Sequence, residues 1–312
     1  MATFQKKFEI SGVGIHSGAP VKMVIKPSKV RGIVFHRVDI DKKFDIPATY
    51  DNVGETKMRN TTIGKMDSGY VQTIEHLMAA LMLVGVDSAV IEIDGPETPI
   101  LDGSAYDFME KFLSIGVVGV KPKRIIVKRE VIVKSAEAKK NIPMFEKLKF
   151  WIINKLAGRK TDGFVRLSPN GGHALNIIAT LVYPEKIIGE QSFVYSFDGT
   201  KKSRDKFLRD VARARTFGKI SEWEYLKKHG MGRGANEHNV IALNAAGDGV
   251  LNNLYWPDEF VRHKVIDALG DMFTAGGFVM GDLVSYKGSH ALNNLVLRKL
   301  FSDPKNYEIV DK

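Results

Sequence analysis

The segment Val71 to Gly85, VQTIEHLMAALMLVG, places the charged pair Glu75-His76 in a helix that is otherwise fit for a protein core. Burying such a pair is costly unless partners compensate it, so the fold must supply those partners or leave the pair in water. In the first arrangement a histidine ligand stands beside a carboxylate that acts on water, and a metal ion offsets the burial. In the second the pair sits at a helix end facing solvent, with Thr73 as N-cap and Gly85 as the stop. The longest uninterrupted apolar run, Leu77 to Val86, has 10 residues. That is about half of the roughly 20 a membrane-spanning helix needs.

Composition narrows the class. Apolar residues make up 44% of the 312 and charged residues 26%, the balance of an ordinary globular protein. Disorder, a collagen-like repeat and a disulfide-stapled mini-protein are excluded. There is no cysteine, so any metal must be held by His, Asp or Glu. The start, MATFQKKFEI, lacks the apolar core and cleavage site of a secretory signal. A soluble, cytoplasmic protein of one large or two ordinary domains is expected.

The charge is uneven. Lys121 to Lys160 carries 13 Lys+Arg and 3 Glu, a net +10 that equals the formal charge of the whole chain. One basic segment points to a local attachment surface rather than to nucleic acid. An RNA-binding sheet would interleave aromatics with its basic residues, whereas Phe145, Phe150 and Trp151 lie in a helix-like run.

Short β-like runs open the chain: KFEISGVGI, VKMVIKP and GIVFHRVDI. The apolar helix follows, then a strand SAVIEIDG and a helix YDFMEKFLSIG. Two glycines, a proline and a shift to basic residues in GVVGVKPKR put a domain boundary near Gly119 to Lys123. The second half reads as strands RIIVKREVIVK, FVRLSP, HALNIIATLVY, QSFVYSF and VMGDLVSYKG. Its helices are SRDKFLRDVARARTF, ISEWEYLKKHG, DEFVRHKVIDALGDMFTAG and ALNNLVLRKLF. Strands and helices in both halves make an α+β pattern.

In DEFVRHKVIDALGDMF, helical spacing puts Val261, Val265, Ile266, Leu269, Met272 and Phe273 on one face. His263, Lys264, Asp267 and Asp271 fall on the other. A histidine and an aspartate one turn apart can ligate one metal, or the stripe is an ordinary solvated face. A strand ends at Ser285-Tyr286-Lys287-Gly288-Ser289-His290, either a functional loop or a plain turn. The other histidines stand alone and read as structural, His16 least clearly.

Six segments occur in order: GVGIHSG (Gly12 to Gly18), TIEHLMAAL (Thr73 to Leu81), DGPETPILDGSA (Asp94 to Ala105), ARTFG (Ala214 to Gly218), EFVRHKVIDALGD (Glu259 to Asp271) and YKGSHALNN (Tyr286 to Asn294). Over nearly the whole chain this resembles the UDP-3-O-acyl-N-acetylglucosamine deacetylases, zinc enzymes of the committed step in lipid A synthesis. The resemblance implies an α+β fold of two similar layered domains. Each is a β-sheet unit with two main helices, and the helices pack between the sheets. Residues 1–120 would form the N-terminal α+β domain supplying Glu75 and His76. Residues 124–312 would form the C-terminal one supplying His263, Asp267 and His290, with a basic amphipathic insertion at about 138–162.

Matched motif to motif, the resemblance implies that His76, His263 and Asp267 hold Zn2+, with Glu75 the general base. His290 would be the acid–base histidine and Asp271 the carboxylate orienting it. Thr216 would stabilise the oxyanion, Lys264 contact substrate and Phe217 line the sugar site. Lys264 and Lys287 could meet the diphosphate of the UDP-linked acylated glucosamine. The implied reaction releases acetate and leaves a free amine. The alternative is a zinc amidohydrolase of the same fold acting on another N-acyl sugar nucleotide. Fe2+ suits two histidines and one carboxylate nearly as well as Zn2+.

Two departures stand out. Lys219 follows ARTFG where the family has an aromatic or aliphatic residue, and Trp223 stands where a smaller aliphatic is usual; both bear on the acyl-chain passage. In the insertion, PMFEKLKFWIINKLAGRK, Pro143 can open a helix and Gly158 close it. Phe145, Leu148, Ile152 and Leu156 share one side, bordered by Lys149 and Lys155. Such a helix either lies on an anionic inner-membrane surface, covers an apolar patch of its own domain, or mediates a dimer contact.

Overall fold

The computed structural model describes residues 1–40, 45–54, 60–65, 67–120, 122–138, 162–228 and 230–311. The first part of the chain holds strands β1 (Ala2–Phe4), β2 (Phe8–Val13), β3 (Pro20–Pro27), β4 (Gly32–Arg37), β5 (Asp45–Pro47), β6 (Ile63–Lys65), β7 (Gly69–Val71), β8 (Ser88–Ile93) and β9 (Val117–Gly119). Its helices are α1 (Glu75–Val84) and α2 (Tyr106–Ile115). Strands β10 (Arg124–Val127), β11 (Val131–Lys134), β12 (Phe164–Ser168), β13 (Leu175–Val182), β14 (Glu190–Phe197), β15 (Phe217–Lys219), β16 (Ile241–Leu243), β17 (Phe278–Tyr286) and β18 (Tyr307–Val310) follow. With them come α3 (Ser135–Ala138), α4 (Lys201–Asp210), α5 (Ile220–Lys228), α6 (Glu259–Phe273) and α7 (His290–Phe301). The α+β class expected from the sequence is the one observed.

A five-stranded sheet runs in the order β2-β3-β8-β4-β5. Its period-2 pattern is plain in β3, where inward Val21, Met23 and Ile25 alternate with outward Lys22, Val24 and Lys26. A seven-stranded sheet is built around β17, which pairs in parallel with β10 and β13 and antiparallel with β12. β14 joins through β13, β11 through β12 and β18 through β10.

The helices fill the space that the sheets enclose. All ten residues of α1 are buried, as expected of a helix apolar on every side. It ends at Gly85, whose φ of 82° lets its N–H reach back to Leu81 and Met82. α6 packs against α1, α7 and strands β13, β14 and β17. Only Arg262 and Lys264 of its fifteen residues escape full burial. The polar stripe on α6 is therefore interior, not a solvated face. α1 and α6 meet at Gly270, where any Cβ would stand 1.9 Å from the Glu75 carbonyl oxygen.

Three local expectations are corrected. Thr73 is not the N-cap of α1: it has φ 61°, its hydroxyl donates to Glu97, and Ile74 caps the helix without a side-chain bond. RIIVKREVIVK is two strands, because the Lys128 and Arg129 N–H groups turn away to the Asn306 carbonyl. The helix expected to run on through Phe217 stops at Asp210, and the chain beyond lends the Ala214 carbonyl to His263. The helix expected at 143–158 lies outside the described residues. Among the described residues no helix is long and apolar enough to cross a membrane.

Gly270→Ala tests the helix contact. In an exposed helix alanine would gain about 1 kcal/mol over glycine. Here the methyl meets backbone that cannot rotate away, and overpacking of this kind costs about 1–3 kcal/mol. A net loss of stability is expected in urea denaturation; a variant as stable as the parent would contradict the packing.

Candidate active site

His76 lies in the first turn of α1, and His263 and Asp267 lie one turn apart on α6. Their ligand atoms all fall within 4.8 Å of one another. The two imidazoles stand edge to face, with centroids 4.9 Å apart. His263 Nδ1 lies 3.0 Å from the Ala214 carbonyl oxygen. A carbonyl only accepts, so Nδ1 carries the proton and Nε2 presents a lone pair. That Nε2 is 3.4 Å from Asp267 Oδ1, and His76 Nε2 is 3.6 Å from the same oxygen. Asp267 Oδ1 is buried and makes no hydrogen bond with the described residues.

Buried lone pairs converging on one point are costly unless a cation joins them, so the donor set fits a divalent metal. Electrostatics agree. Burial pushes His263 down to about 3 against the pull of Asp267, so the imidazole is neutral at pH 7. Burial alone would raise the Asp267 carboxyl, but the Lys264 ammonium beside it holds it well below the usual range. Lys264 Nζ donates to Asp267 Oδ2 at 2.7 Å.

Around this cluster stand the proton-handling groups. Glu75 is buried and accepts the Thr61 backbone N–H at 2.9 Å. Its burial raises its pKa, against the pull of His290 and His76. His290 opens α7, whose N-cap is Ser289. Its Nδ1 is 2.8 Å from Asp271 Oδ2, which also accepts from Asn293 Nδ2 at 2.9 Å. The Thr61 hydroxyl donates to Asp271 Oδ1 and lies 3.2 Å from His290 Nδ1. Burial would lower His290, but Asp271 and Glu75 outweigh it and push the imidazole up to about 9.

Glu75, His76, Thr216, Phe217, His263, Lys264, Asp267 and His290 line one cleft. Phe217 turns its edge to His263, and Lys264 Nζ sits 5.5 Å over the Phe217 ring. Burial would lower the Lys264 ammonium, but Asp267 raises it to about 12, so it stays charged. Lys287 stands apart: its ammonium donates to Asp162 at 2.6 Å and is not among the groups lining the cleft. His16, read as structural from sequence, lines the cleft as well. Beyond the polar end, Ile15, Ile100 and Val240 form a small apolar cluster with Trp223 packed on it. Lys219 is 3.9 Å from Glu185 at this wall.

Sequence reasoning missed Thr61, Asn293 and the Ala214 carbonyl. Asn293 and Ala214 lie inside recognised motifs, which was the one available signal; Thr61 carried none.

Three candidate ligands of this kind, flanked by a buried carboxylate and a cationic histidine, fit a catalytic rather than a structural metal site. The LpxC family model, UDP-3-O-acyl N-acetylglycosamine deacetylase, matches residues 1–302. The chain belongs to this family. A Myxococcus xanthus protein named UDP-3-O-acyl-N-acetylglucosamine deacetylase is 38% identical over 310 residues, covering 99% of this chain and 88% of that protein. Proteins of the same name from Shewanella piezotolerans and Shewanella pealeana are 34% and 35% identical, each covering 99% of this chain and 92% of the relative.

One divalent ion per chain is expected by elemental analysis, and His263→Ala should lose it. Stoichiometric metal in a His76→Ala/His263→Ala double variant would rule out these ligands.

Proposed function

We propose that this chain is a zinc-dependent hydrolase that removes the acetyl group from the glucosamine nitrogen of UDP-3-O-acyl-N-acetylglucosamine. Acetate and a free amine result, in the committed step of lipid A synthesis. The observation that carries the reading is that Glu75 and an Asp271-bound His290 line the same cleft as the His76–His263–Asp267 cluster. His76, His263 and Asp267 would hold the ion, and zinc suits two nitrogens and one oxygen, with ferrous iron the alternative. Bound there, the ion polarises an acyl oxygen and acidifies water towards a pKa of about 7.

The residues do the rest. Glu75 accepts the proton of the attacking water. Thr216 and Lys264 face the oxygen on which charge develops and offer it a hydroxyl and an ammonium. His290, kept cationic and oriented by Asp271, delivers a proton to the amine nitrogen as the C–N bond breaks. The apolar end of the cleft, at Ile15, Ile100, Val240 and Trp223, supports an acyl chain in the substrate. The same reading divides the chain into domains 1–120 and 124–312, which contribute Glu75 and His76 on one side and His263, Asp267 and His290 on the other. It also takes the basic, aromatic sequence at 143–158 as a peripheral contact with an anionic membrane, which would keep a lipid-bearing substrate near the cleft.

Acetate release from the 3-O-acylated substrate, set against another N-acyl sugar nucleotide, tests the specificity; equal rates would favour the broader amidohydrolase. A bell-shaped pH profile of kcat/KM is expected. Activity falls at low pH as Glu75 is protonated, and at high pH as His290 loses its proton. A bound cation lowers both pKa values, which puts the basic limb at or below about 9. Glu75→Ala should remove the acidic limb and His290→Ala the basic one, each costing roughly 10²–10⁴-fold; full activity in His290→Ala would refute its role. Exchange of Phe145, Trp151 and Ile152 for Ser should abolish co-sedimentation with anionic vesicles; unchanged binding would end the membrane contact.

A further inference from the structure

Glu97 is buried to 1% exposure and lies outside the metal cluster. A carboxylate only accepts hydrogen bonds, and among the described residues Glu97 accepts them from three donors. The His16 backbone N–H reaches Oε1 at 2.9 Å and Oε2 at 3.1 Å, and the Ser17 N–H reaches Oε2 at 2.9 Å. The Thr73 hydroxyl donates to Oε1 at 3.0 Å. Gly14 closes over the carboxylate so tightly that a Cβ would lie 2.2 Å from Oε2. One side chain thus joins the turn carrying His16, which lines the cleft, to the residue two before Glu75.

That residue is under strain. Thr73 has φ 61°, a left-handed backbone that a β-branched side chain adopts only when its surroundings enforce it. Several groups enforce it here. Asn60 Nδ2 donates to the Thr73 hydroxyl at 3.0 Å, and the Thr98 hydroxyl donates to the Thr73 carbonyl. The Asn60 side chain is held in turn by the Thr62 hydroxyl at 3.1 Å. Drawn towards Glu97, the Thr73 hydroxyl leaves the first turn of α1 without a side-chain cap. The direction in which the chain enters α1 is then set by the strut to Glu97, and Glu75 and His76 are the first two residues it directs.

We propose that Glu97 is a positioning residue for the reaction, acting through Thr73 to fix Glu75 and His76 and through the His16–Ser17 turn to fix the facing wall of the cleft. The proposal rests on the reading that Glu75 and His76 do the chemistry. Glu97 touches neither substrate nor reacting atoms. Its loss should therefore weaken turnover and metal holding more than substrate binding.

The test measures kcat, KM and the zinc dissociation constant by chelator competition, on the full chain. The variants are Glu97→Gln, Thr73→Ala, their combination, and Thr73→Ser. Glutamine keeps the shape but turns one acceptor into a donor. Glu97→Gln and Thr73→Ala should each lower kcat and weaken zinc binding by about 10–100-fold, with KM changed less. The double variant should be no worse than the more damaged single, since both break one strut. Thr73→Ser, which keeps the hydroxyl, should behave nearly as the parent. Losses that multiply, or parental kcat and zinc affinity in Glu97→Gln, would overturn the proposal. If Glu97→Gln does not fold, the two Thr73 variants decide, and equal behaviour of Ala and Ser overturns it. A parent chain without acetate release would instead count against the functional reading, while zinc affinity would still test the strut.

Discussion

The close contact of α1 with α6 at Gly270 is the constraint on which the rest depends. A methyl at position 270 would collide with the backbone of Glu75, so the glycine sets how near the two helices run. That nearness brings His76 from one helix to His263 and Asp267 of the other. It also turns the polar stripe of α6 inward, although such a stripe would ordinarily face water. Carboxylates and imidazoles are then buried together, and their charges must be balanced among themselves.

The balance divides the site into two functions. Around Asp267, a neutral His263 and an unbonded oxygen leave lone pairs that a cation would satisfy. Around Asp271, three donors converge: Thr61, Asn293 and His290. The carboxylate so held stabilises a cationic His290 at neutral pH, which is the state a proton donor requires. On the proposed reading, two aspartates one turn apart on one helix would serve opposite ends, one gathering a metal and the other keeping a proton in place. Their surroundings, not their identities, make the difference.

Much of this was legible in the sequence because it is periodic. His263, Asp267 and Asp271 recur every fourth residue opposite an apolar stripe, and Glu75-His76 interrupts an apolar helix where no charge is otherwise tolerated. Alternating apolar and polar residues likewise marked strands such as β3. What escaped depends on distance along the chain. Thr61 meets Asp271 across 210 residues, and no local pattern announces such a contact. Thr73 looked like a helix cap because residue type is visible in sequence and φ is not; Glu97, 24 residues away, takes its hydroxyl. The Ala214 carbonyl is backbone, which sequence cannot single out. For Lys287 the basic character was visible in sequence and its pairing with Asp162 was not.

The α1–α6 junction is read as a metal-dependent deacetylase centre. Its most direct test is acetate release from UDP-3-O-acyl-N-acetylglucosamine by the purified chain, before and after chelation, followed by titration with zinc. The account predicts that stripped protein is folded but inactive, and that activity returns as one equivalent of zinc is added. Undiminished acetate release from protein shown to contain no metal would contradict it.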